Sequence, residues 1–284
     1  MAESFSHKFG QIIGNLLELA LQPELKKFAK KHKLYFDKQG IRKARSGQKV
    51  SWTDESNNKH NLDIVLERGG TENTIGIPVA FIESAWRRGF RHSKNKVQEI
   101  QAAINPIVFK HKSTVCFKGA ILGGDFTKPS LQQLESDKYY VLHFPTALFV
   151  KTFRKFNLDI ISTDNTHESE FKRRINLWEN FQKKEELVKE LLKSNKQAVN
   201  DFLNSLSAAV SRYIERVVVI PLHGNESTVT NITAAIQYLK NYSEDKQKHP
   251  LLRYEVIIRY NTGDRIDATF KDKQDTIKFL ETYL

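Results

Sequence analysis

Residues 62–104 read LDIVLERGGTENTIGIPVAFIESAWRRGFRHSKNKVQEIQAAI, and their pattern decides the fold. Two short apolar runs, 62–66 and 77–82, flank a glycine-rich turn and predict neighbouring strands of a hairpin. Each run carries one acid that its surroundings do not call for. Asp63 sits among Leu62, Ile64 and Val65, and Glu83 follows Val79, Ala80, Phe81 and Ile82. Side chains alternate along a strand, so Val79, Phe81, Glu83, Ala85 and Arg87 are expected on one face. Two acids on adjacent buried strands repel each other, and a shared divalent cation is the usual remedy.

Just beyond the second strand comes Trp86-Arg87-Arg88-Gly89-Phe90-Arg91-His92, three arginines in five residues among aromatics. Such a cluster suits phosphate contacts. A helix is expected over 93–105 with Ser93 as its N-cap. Helical spacing puts Lys94, Gln98 and Gln101 on one face and Asn95, Glu99 and Ala102 on the next, with Val97, Ile100 and Ile104 packed inward.

An Asp opening one strand, an acid-x-Lys tripeptide closing the next and a Gln/Glu-bearing helix after it are the marks of the PD-(D/E)xK nuclease superfamily, which includes the restriction endonucleases. Residues 1–145 resemble that pattern. The resemblance implies a mixed sheet flanked by helices, an α/β (α+β overall) fold. It implies a Mg²⁺-dependent endonuclease of type II restriction type acting on double-stranded DNA. Asp63 and Glu83 would hold one or two ions with the backbone carbonyl of Ser84, and Glu18 on the first helix would lean towards them. The chain departs from the pattern at Glu83-Ser84-Ala85, where alanine stands in the place of the family's lysine. Lys96 or Lys94 from the following helix would supply the amine, with Arg87 a further candidate, and Glu99 would assist the water or a second ion. Arg87, Arg88, Arg91, Gln98 and Gln101 would contact DNA. So would Arg42, Lys43 and Arg45, which sit in a polar, glycine-punctuated stretch read as a mobile basic loop.

Composition agrees with an anionic partner. Among 284 residues, 45 Lys/Arg against 33 Asp/Glu leave a formal charge of +12, which favours a phosphate backbone. A single cysteine, Cys116, permits neither an intrachain disulfide nor a thiolate metal cluster and fits a reducing cytoplasm. The first residues lack the pattern of a signal peptide, and no apolar run is long enough to span a membrane. A palindromic DNA target would call for a homodimer, and a restriction role for a cognate methyltransferase.

Along the rest of the chain, helices are expected over 4–20 and from Pro23 onward. Strands are expected over 114–122 and 139–144, linked by a short helix, so that they run parallel. Asp125, in the turn after the first of these, is a rival metal ligand. A boundary is placed at 165/166. It separates the nuclease-like core from a C-terminal region of two long helices, 171–195 and 198–214, and a small α+β unit that would serve DNA recognition or dimerisation. Two other readings compete: a DNA-binding protein on the same fold that lost catalysis with its lysine, and a small-molecule enzyme. No zinc spacing, phosphate loop or nucleophile elbow is present.

Overall fold

The computed structural model describes residues 4–111, 117–163, 165–211, 213–244, 249–261 and 263–284. Two compact units divide the chain after Val210.

The first unit is built on a five-stranded mixed sheet: β1 (Leu34–Lys38), β4 (Ile64–Arg68), β5 (Ile77–Arg87), β6 (Phe117–Gly124) and β7 (Tyr139–Pro145), in that spatial order. β1, β4 and β5 pair antiparallel, while β5, β6 and β7 pair parallel. The expected architecture is therefore present: an antiparallel hairpin with Glu83 on β5 and Asp63 at the bend just before β4, followed by parallel strands joined through helix α3 (Lys128–Ser136). A small ribbon of β2 (Val50–Thr53) and β3 (Lys59–Leu62) precedes β4. The expected start of the third long strand, at 114–116, and Cys116 with it, lie outside the described residues.

The β4–β5 register contains a bulge. Leu66 pairs with Ala80 but Glu67 pairs with Pro78, which leaves Val79 as an extra residue on β5. Val79 and Ala80 consequently both join the hydrophobic cluster under the first helix, whereas Phe81 and Ala85 join the cluster on the opposite side. The sequence expectation that Val79 shares a face with Phe81 and Glu83 fails at this one position.

Helix α1 (Phe5–Lys31) runs unbroken through Pro23, where the sequence suggested two helices. An internal proline costs about 3 kcal/mol. That cost is offset by a stripe that continues on both sides of it: Phe9, Ile13, Leu16, Leu17, Leu21, Leu25 and Phe28 are all buried. Helix α2 (Ser93–Lys110) covers the other face with Val97, Ile100, Ile104 and Ile107. Ser93 does not cap it; its hydroxyl is buried, donating to the Phe90 carbonyl and sharing a hydrogen bond with Ser130.

The boundary expected at 165/166 is displaced. Helices α4 (Thr146–Arg154), α5 (Glu168–Glu179), α6 (Lys184–Ser194) and α7 (Lys196–Val210) follow the sheet. Phe171, Ile175, Leu187, Leu191, Val199, Phe202 and Leu206 pack into the same core as α1 and the sheet. Hydrophobic burial thus assigns these helices to the first unit. The second unit is a four-stranded antiparallel sheet, β11 (Arg265–Phe270), β10 (Tyr254–Tyr260), β8 (Ile214–Pro221) and β9 (Ser227–Val229) in spatial order. Helices α8 (Ile232–Asn241) and α9 (Lys273–Glu281) contribute to its core.

The stretch read as a mobile basic loop is instead fastened by buried charge. Arg42 is 2% exposed, and its guanidinium contacts Asp37 at 2.8 Å and Glu67 at 2.7 Å. It also donates to the Thr71 and Thr74 carbonyls. Arg45 donates to Asp37 at 3.0 Å and to the carbonyls of Lys38 and Gly40. Neither guanidinium is available to DNA, and both leave the set of proposed DNA contacts; Lys43 alone of the three is exposed. Removing one partner of such a network leaves uncompensated buried charge. Arg42→Ala is therefore expected to destabilise the protein by about 3–5 kcal/mol, measured by urea denaturation. Unaltered stability would mean the network is solvated.

Candidate active site

Asp63 occupies the bend between β3 and β4, opposite Glu83 on β5 when the register of Ile64 with Ile82 is continued. The two residues clasp each other. The Asp63 amide donates to Glu83 Oε1 at 3.1 Å, and Asp63 Oδ2 accepts from the Ser84 amide at 2.8 Å and its hydroxyl at 3.1 Å. Burial first, and then the negative charge of Asp63, pushes the Glu83 carboxyl up to about 8, against the opposing pull of Lys96. Glu83 consequently holds a proton at neutral pH.

Two further elements bring side chains to this pair. Glu18, midway along α1, is raised above the ordinary carboxylate range by burial and then by the charge of Asp63. Its carboxylate accepts from the Gln22 amide at 2.9 Å, and Lys38 on β1 donates to the same amide's oxygen at 2.9 Å. From the other side, α2 contributes Lys96. Asp63, Ser84, Glu18, Lys96, Arg87 and Arg88 line one cleft of ≈ 730 Å³. Acids, a candidate amine and basic side chains thus share a single opening.

Other expected site residues fall elsewhere. Glu99 is exposed and bridges two cations, Lys96 at 3.0 Å and Arg87 at 3.7 Å, so it belongs to the rim rather than to the acids. Gln101 is taken up structurally: it donates to Asp137 at 2.8 Å and accepts from Gln133 at 2.7 Å. It is thereby removed from the DNA contacts. Lys94, Arg91 and Gln98 are exposed and do not line the cleft. Arg88 reaches Ser6 and Ser162 at 3.3 and 3.4 Å, with its guanidinium over the Phe171 ring.

Asp125 lines the cleft, but its oxygens are engaged by the Gly89 amide and the Thr146 hydroxyl. Its own amide donates to the Arg87 carbonyl at 2.8 Å. The preceding Gly124 has φ +96°, and a Cβ there would lie 2.0 Å from the Arg87 carbonyl oxygen. Only glycine fits this approach. Asp125 therefore fixes the arginine-bearing turn at the mouth of the cleft, a role that sequence reading assigned to no residue. The Ser84 hydroxyl and Lys38 were also missed, the latter because β1 looked like loop.

The donor chemistry suits a hard divalent cation. All the acidic donors are oxygens, and the burial that raises Glu83, with the charge of Asp63 added to it, is what a nearby cation would offset. Among the described residues, no three His, Cys, Asp or Glu side chains form a metal cage. Mg²⁺ needs none, since it keeps several waters and is commonly held by one or two carboxylates.

No family model matches the chain, and no curated protein matches it. Among solved structures, the chain is similar to a crystal structure of a protein of unknown function, AF1548, at 11% identity and a TM-score of 0.29, covering 68% of this chain and 98% of the other. That likeness carries no argument about fold or function. No described helix is long and apolar enough to cross a membrane.

Proposed function

We propose that the first unit is a Mg²⁺-dependent endonuclease that hydrolyses phosphodiester bonds in double-stranded DNA, of the restriction type that the PD-(D/E)xK resemblance implies. One observation carries the reading: Asp63 and Glu83 stand opposite each other, tied by the Asp63 amide, and Asp63 lines a cleft together with Lys96, Arg87 and Arg88.

Asp63 and Glu83 would hold the ion, with Glu18 close enough to Asp63 to act on the same charge. When bound, the ion would polarise the phosphoryl oxygen and lower the pKa of a water. The chain's own residues do the rest. Glu83 must give up its proton for the pair to become fully anionic. Lys96 supplies the amine missing at Ala85 and offsets charge that grows on the phosphoryl group. Arg87 and Arg88 at the rim bind flanking phosphates, held in place by the Asp125 clasp. A second copy of the chain for a palindromic site, a cognate methyltransferase and a cytoplasmic setting complete this reading.

Digestion of unmodified and modified DNA with and without Mg²⁺ tests it. Mg²⁺-dependent ends with 5′-phosphate or 3′-phosphate termini are the expected product. Tight, salt-dependent binding without cleavage of any DNA would instead favour a binding protein on this fold. Lys96→Ala is expected to lower cleavage about 10²-fold or more without loss of thermal stability, and Lys94→Ala to leave it unchanged. Equal effects of the two would remove Lys96 from its assigned role.

A further inference from the structure

The second unit carries a basic feature that the proposed nuclease site does not use. In its sheet, Arg259 on β10 pairs directly with Arg216 on β8 and with Arg265 on β11. Opposed residues in antiparallel strands project from the same face. Three guanidinium-bearing residues therefore stand in one row across three adjacent strands, about 10 Å from first to last at a strand spacing of about 4.8 Å.

The face they occupy is the one that neither α8 nor α9, the described helices of this unit, covers. Val217, Val219, Tyr254, Val256 and Ile258 point the other way and are buried in the cluster with residues of α8 and α9. Beside the arginine row, the open face continues with Val218, Ile257 and Asp267, and then with Ile220, Glu255 and Thr269. Its two acids are already matched: Asp267 pairs with Arg265 at 2.8 Å, and Glu255 with Arg253 at 2.7 Å. The guanidinium groups of Arg216 and Arg259 have no hydrogen-bond or ion-pair partner among the described residues, though their backbones join the ladder. Like charges set directly across a ladder destabilise a sheet. A row of this kind is explained when an external anion lies along it, and arginine's planar fork matches phosphate.

We infer that the helix-free face of the second unit binds the phosphate backbone of double-stranded DNA through Arg216 and Arg259, with Arg265, paired to Asp267, at the end of the row. This binding is independent of catalysis in the first unit and would persist if that unit proved inactive.

The test uses the full chain, with Arg216→Gln and Arg259→Gln combined, and a short fluorescein-labelled duplex titrated by anisotropy at several salt concentrations. The variant is expected to bind about tenfold or more weakly at low salt, with a salt slope shallower by about 2, since each lost phosphate contact accounts for about 0.9. Its thermal midpoint should be unchanged or higher, because two neighbouring positive charges are gone; a structural role for the pair would lower it. A control with the same loss of charge, Lys240→Gln with Lys278→Gln on the helices, should bind as the wild type does. Unchanged affinity and slope in the arginine variant, or an equal loss in the lysine control, overturns the inference. Repeating the titration in Asp63→Asn separates the two proposals: the arginine effect should survive there whether or not the parent protein cuts DNA.

Discussion

Asp63→Asn should abolish Mg²⁺-dependent cleavage, by at least about a thousandfold, while the protein stays folded. The substitution keeps size and shape, so the hydrogen bonds from the Ser84 amide and hydroxyl to Oδ have an oxygen to accept them. What disappears is the negative charge, and with it half of the proposed ion-binding pair. The same charge also raises the Glu83 and Glu18 carboxyls. Its removal should lower both and make the metal-free protein more resistant to heat near pH 8. Lost cleavage together with gained stability is the signature of a residue kept for chemistry at a cost in folding energy. A variant that cuts DNA at the wild-type rate would end the proposed mechanism, and a variant that unfolds would assign Asp63 to the scaffold instead.

Stability of the metal-free protein should fall as pH rises. The Glu83 carboxyl has an ordinary value of 4.5 and sits at about 8 in the folded chain. Between those limits the folded state binds a proton that the unfolded state has released, so stability decreases with pH. The contribution is complete below 4.5, is lost progressively as pH rises to about 8, and changes no further above it. At about 1.4 kcal/mol per unit, the total is on the order of a few kcal/mol. A divalent cation held by the proposed pair would compete with this proton. The rise in melting temperature on adding Mg²⁺ should therefore be small at pH 5 and large at pH 8, because binding requires deprotonated ligands. Glu83→Gln should flatten the pH profile and remove the Mg²⁺ effect together. If Mg²⁺ stabilises wild type and Glu83→Gln equally, the ion is held elsewhere.

The parts of this molecule legible in its sequence were those with a clean periodicity. Apolar runs around a glycine-rich turn marked β4 and β5, and the strand–helix–strand spacing marked the parallel pair β6 and β7. Asp63 and Glu83 stood out because charge is conspicuous within such runs. Lys96 and Glu18 came only from the family resemblance, and both line the cleft. What stayed hidden depended on partners distant in the chain. Arg42 and Arg45 look like solvated loop charge until Glu67 and Asp37, on β4 and β1, are placed around them. Gln101 shares a helix face with Lys94 and Gln98, yet it turns to Asp137 beyond α3. The continuity of α1 across Pro23 was equally hidden, since tertiary burial overrode local propensity.

The extra residue at Val79 has a consequence for which length changes this hairpin can absorb. It separates β5 into a part that answers to the turn at 69–76 and a part that answers to the acids, with the pairing of Leu66 to Ala80 as the fixed point between them. Additions or losses in the turn can be taken up on the near side of that joint. On the far side, between Ala80 and Glu83 or between Asp63 and Leu66, one residue more or fewer would rotate a carboxyl to the opposite surface of the sheet. Natural variation in hairpin length is accordingly expected at the glycine-rich tip, and the four-residue spans beside the acids should stay invariant in length.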